Sequence, residues 1–97
     1  MPVACSLTPD ALRARREGLL KELLRLTTVR ERLPEGLRVR FAASTETLAK
    51  IAQAVEAERL CCRFLHFTIT VEPDAGPMTL ELTGPPGTQE FVEALLD

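Results

Sequence analysis

The chain has 97 residues, 45% of them apolar and 27% charged, with a net charge of −2; that is one small domain with material for a single core, and too apolar for a disordered chain. No run approaches the roughly 18 apolar residues of a membrane span, and Met1 to Pro9 offers neither the basic start nor the apolar stretch of a secretory signal. An acidic chain without Trp or Tyr also lacks the basic run with interleaved aromatics that nucleic-acid surfaces carry, so neither membrane nor nucleic acid is an expected partner.

In chain order, residues 2–7 (Val3-Ala4-Cys5-Ser6-Leu7 within them) read as a short strand. Thr8-Pro9-Asp10 then opens a helix: a cap, a proline where no N–H is needed, and an acid at the positive end of the dipole. Its apolar residues, Leu12, Leu19, Leu20, Leu23 and Leu26, keep close to a 3.6-residue period. Thr27-Thr28 weaken its end, and Pro34-Glu35-Gly36 stops whatever remains. Leu37, Val39 and Phe41 alternate with Arg38 and Arg40, the pattern of a half-buried strand. Ser44 or Thr45, with Glu46, starts a second helix whose stripe runs through Leu48, Ile51, Ala52 and Val55. Phe64 to Val71 reads as a strand and pairs in a hairpin with the alternating Met78, Leu80 and Leu82, across a turn at residues 72–77. Gly84-Pro85-Pro86-Gly87 breaks that strand, and Phe91, Val92, Leu95 and Leu96 mark a short closing helix. The predicted fold is α+β: a two-layer sandwich, helices on one face of a four-stranded mixed sheet, in the order β-α-β-α-β-β-α.

Charge is unevenly spread. Residues 1–63 hold all twelve basic residues against eight acids, whereas residues 64–97 hold six acids and no base. The expectation is two solvated faces of opposite sign, or a field that steers a partner or pairs two molecules. The absence of Asn, with abundant Arg, Glu, Leu and Ala, fits a thermophile or a high-GC genome.

Three cysteines cannot form a complete intramolecular disulfide framework, and without an export signal the expected compartment is a reducing cytoplasm. The informative stretch is Glu58-Arg59-Leu60-Cys61-Cys62-Arg63-Phe64-Leu65-His66-Phe67. It sets two adjacent thiols at the junction of the second helix and the next strand. Glu58 lies one helical turn before Cys62 on the same face, and His66 two residues into the strand. Soft metals prefer thiolates, then imidazole, then carboxylate. Cys5 is the natural third sulfur for a trigonal site, and Zn would need a fourth ligand, His66 or Glu58. The candidate metal ligands are thus Cys61, Cys62, Cys5, His66 and Glu58. No catalytic set and no phosphate loop emerges: there is one His, and no Lys follows the Gly-Pro-Pro-Gly segment.

The same segment resembles a family of uncharacterised small bacterial proteins with the pattern E-R-x-C-C-P-F-L, a later G-P turn, and C-x-L-x-x-x-x-L-x-x-R near the N-terminus. The matching residues are Glu58, Arg59, Cys61, Cys62, Phe64 and Leu65; Gly84-Pro85; and Cys5, Leu7, Leu12 and Arg15. Arg63 stands where that family has Pro. Genes of such proteins often lie beside mercury-resistance regulators, so the resemblance implies handling of mercury or another thiol-seeking metal.

Three readings follow. The first is a cytoplasmic thiol protein that binds a soft metal ion, Hg(II) or Zn, through Cys61 and Cys62 with Cys5. The second is a non-catalytic interaction domain, a homodimer or a regulator's partner, with structural cysteines. The third, a thiol enzyme or redox switch, has least support: there is no C-x-x-C, and a helix C-terminus disfavours a thiolate.

Overall fold

The computed structural model describes residues 21–96. The expected strand at residues 2–7 and the start of the first helix, with Cys5 and Arg15, lie outside the described residues. The elements are α1 (Lys21–Arg25), β1 (Thr27–Leu33), β2 (Gly36–Phe41), α2 (Thr45–Cys61), β3 (His66–Val71), β4 (Met78–Thr83) and α3 (Thr88–Leu96). After the single turn of α1, the order is β-β-α-β-β-α. The four strands form one sheet in the order β1-β2-β4-β3, with every neighbouring pair antiparallel.

This corrects the predicted mixed sheet and its β-α-β-α-β-β-α order. Residues 27–33 are a strand, not a decaying helix end. Thr27, Thr28 and Val29 are β-branched and stiff in χ1, which favours a pleated backbone over a helical one. Pro34-Glu35 is then a two-residue hairpin turn, since Leu33 and Gly36 are partners across it. Gly36 serves that turn by its lack of a side chain: a β-carbon there would overlap the Leu82 carbonyl oxygen on β4. The hairpin replaces the long crossover that a parallel pair would need.

Strand register sorts the two faces. Leu37, Val39 and Phe41 of β2 lie opposite Leu82, Leu80 and Met78 of β4, and all six are buried. Ile51 and Ala54 of α2, Val92 of α3 and Leu23 of α1 complete the core on this face. The other face is polar and carries Glu31, Arg38 and Arg40, Thr79, Glu81 and Thr83, and His66, Thr68 and Thr70.

The helix ends are fixed locally. Ser44 caps α2, its hydroxyl accepting from the Thr47 N–H at 3.3 Å. α3 is tied to the first hairpin: the Glu35 carboxylate accepts from the Gly87 N–H at 3.1 Å, and Gln89 donates to the Leu33 carbonyl at 2.7 Å. Among the described residues no helix is long and apolar enough to cross a membrane.

Candidate functional site

The site is built by the last turn of α2. Glu58 and Cys62 are four residues apart, which stacks them on one helix face. The Cys62 N–H still donates to the Glu58 carbonyl at 2.6 Å, while its φ of −110° and ψ of 76° already leave the helix. The Leu65 N–H then returns to the Cys62 carbonyl at 3.1 Å. This tight turn puts both Phe64 and Leu65 in the core, and Phe64 meets Phe91 edge-on at 4.9 Å. β3 therefore begins at His66 rather than at Phe64.

The two side chains meet inside the protein. The Cys62 thiol donates to Glu58 Oε2 at 3.5 Å. Cys62 is 0% and Glu58 2% exposed. A carboxylate taken out of water costs several kcal/mol unless it is hydrogen-bonded and its charge met. Apolar neighbours alone do not account for Glu58 here. Beside it lies a cavity of about 20 Å³, room for about one water-sized occupant, walled by Leu23, Val39, Phe41, Ala54, Leu80 and Leu82 among others.

Cys61 is the last residue of α2. Cys5 lies outside the described residues. His66 is exposed and pairs with Thr83 on the polar face of the sheet, away from the core that holds Cys62. Among the described residues no three of His, Cys, Asp and Glu gather as a metal site. Of the two arginines beside the thiols, Arg59 is held by Glu56 on the next turn back, at 2.5 Å, and Arg63 is exposed.

A second cleft, between β1 and α3, was not anticipated. Arg30, Arg32, Leu37 and Glu93 line it, and Arg32 Nε lies 2.6 Å from Glu93 Oε1. Its signal was the i, i+2 spacing of Arg30 and Arg32, which places them on one face only once the segment is recognised as a strand.

No known protein family, curated protein or solved structure matches the chain.

Proposed function

We propose that the chain is a small thiol protein of a reducing, cytoplasmic compartment that captures a soft metal ion, with Hg(II) the first ion to test. The observation that carries the reading is the buried contact between the Cys62 thiol and the Glu58 carboxylate. A thiol must lose its proton to bind a metal. Capture forms an S–metal bond as the S–H bond breaks, and Glu58 Oε2, which already accepts that hydrogen, is placed to take the proton. Cys61 and Cys5 supply the further sulfurs, and Glu58 is the oxygen donor for a harder ion such as Zn. His66, on the far face of the sheet, stays outside this set. The likeness of the Glu58–Leu65 segment to proteins encoded beside mercury-resistance regulators supports the same metal.

The test is native mass spectrometry of the reduced protein with one equivalent of Hg(II) against excess glutathione. One ion retained by the wild type and released by Cys62→Ser is the expected result; Cys61→Ser and Cys5→Ser then count the sulfurs. Loss to glutathione as readily from the wild type as from the variants rejects the reading.

One observation favours a second reading. Cys62 is fully buried in the cluster with Phe41, Phe64 and Leu65, as a cysteine used for packing would be. The protein is then a non-catalytic interaction domain, and the same competition decides between the two.

A further inference from the structure

The two edges of the sheet are unlike. β1 carries Arg30, Glu31 and Arg32, and a register shift between Thr27 and Val29 interrupts its pairing. Charge and irregularity are the usual means by which an edge strand is kept from pairing with other chains. β3 has neither. Its sequence, His66-Phe67-Thr68-Ile69-Thr70-Val71, holds no Lys, Arg, Asp, Glu or Pro, and it pairs with β4 in unbroken register. Among the described residues no strand lies on its far side. Ile69 and Val71 point to the core face yet remain 40% and 57% exposed.

We propose that the β3 edge is the interface with a second copy of this chain, joined antiparallel about a two-fold axis through Ile69 into one eight-stranded sheet. The proposal deepens the interaction-domain reading and does not depend on metal binding. Register follows from the residues. A two-fold axis perpendicular to the sheet keeps its faces, so opposed residues share a parity. Centred on Ile69, the pairing sets Ile69 against its own copy and Phe67 against Val71 of the second copy on the apolar face. It sets Thr68 against Thr70 on the polar face, and His66 against Glu72. These are apolar, Thr–Thr and imidazole–carboxylate pairs, each favourable across an antiparallel ladder, with no like charges opposed. Centring on Thr68 instead would oppose Val71 to Leu65, which precedes β3 and is already buried in the turn after α2. The exposed Ile69 and Val71 are thereby covered, and the outer edge of β3, which pairs with no other strand among the described residues, gains partners.

The experiment is sedimentation velocity on the full, reduced chain over a range of concentrations, with two sets of variants. The wild type should sediment as a dimer that dissociates on dilution, and Ile69→Lys should be monomeric with an unchanged circular dichroism spectrum. Cysteine cross-linking, read against the wild-type background, keeps the proposal testable if Ile69→Lys fails to fold. Ile69→Cys should link to its own copy under mild oxidation, because directly opposed α-carbons lie about 4.5–5.5 Å apart. Val71→Cys should not, its copies being roughly 13 Å apart in this register. A wild type that stays monomeric up to about 1 mM, the concentration of a barely measurable affinity, overturns the proposal and leaves the edge for another protein's strand. A dimer that survives Ile69→Lys, or equal linking at both positions, overturns the β3 interface while leaving the interaction reading standing.

Discussion

Cys62 concentrates the functional question in one side chain. Its thiol is buried, so reagents and metal ions reach it only when the last turn of α2 opens. Alkylation mapped by mass spectrometry should find Cys62 at least about tenfold slower than a free thiol at the same pH, with the protection lost in denaturant. A Cys62 that alkylates as fast as free cysteine would show that the turn is open in solution and that the thiol does not pack in the core. The nearness of Glu58 and Cys62 was legible in the sequence, because residues four apart share a helix face. The burial of the carboxylate was not. It depends on β2 and β4 closing under α2, through Phe41 and Leu82 beside Glu58, and neighbours more than a dozen residues away leave no local trace. The separation of His66 from Cys62 had the opposite fate. Only four residues apart in sequence, they are parted because the chain turns through Arg63-Phe64 before the strand begins.

At the scale of elements, six of the seven described were readable from period and punctuation: α1 falls inside the predicted first helix, and β2, α2, β3, β4 and α3 lie between turn residues, although the stripe expected on α2 was misplaced, since Leu48 and Ala52 are exposed and Ile51, Ala54 and Glu58 are the buried positions. β1 was hidden because Pro34-Glu35-Gly36 serves equally as a helix stop and as a hairpin turn, and because Leu23 and Leu26 extend a helical stripe up to its first residue. The β-branched run at residues 27–29 is the local signal for the strand. The second hairpin is simpler, but its turn is conformationally costly. Asp74 and Ala75 both take left-handed backbone, with φ of 56° and 57°. Asp tolerates this through local hydrogen bonding, whereas Ala has only the clash of its β-carbon with the backbone. Ala75→Gly should therefore stabilise the protein by about 0.5–1 kcal/mol, the left-handed penalty less the extra unfolded-state entropy of glycine. Urea unfolding gives the sign, and a loss of stability would mean that the alanine methyl makes a contact worth more than its strain.

At the scale of the whole molecule, the charges of the described residues are interleaved rather than parted into two faces of opposite sign. The topology interleaves the halves: β4 and α3, from the acidic part, lie against β2 and β1 from the basic part. Arg38 on β2 sits between Glu81 of β4 at 2.8 Å and Glu31 of β1 at 3.0 Å, and Arg32 meets Glu93 of α3. The Arg38 guanidinium is held above its ordinary range, first by the hydrogen bond to Glu81 and then by that to Glu31. A base whose folded value is raised adds stability at every pH below its unfolded value and loses it only as pH climbs through the folded one. For an arginine that window lies far into alkali, so deprotonation of Arg38 should remove no stability anywhere up to about pH 10. Salt is the discriminating variable instead, because these charges lie at the surface and are screened. Arg38→Lys keeps the charge but forfeits the fork that reaches both carboxylates at once, so its melting temperature should fall below the wild type's at low salt and approach it at high salt. A difference that persists undiminished in high salt would assign the role of Arg38 to the packing of its stem across the polar face, and the three strands would then be joined there by contact rather than by charge.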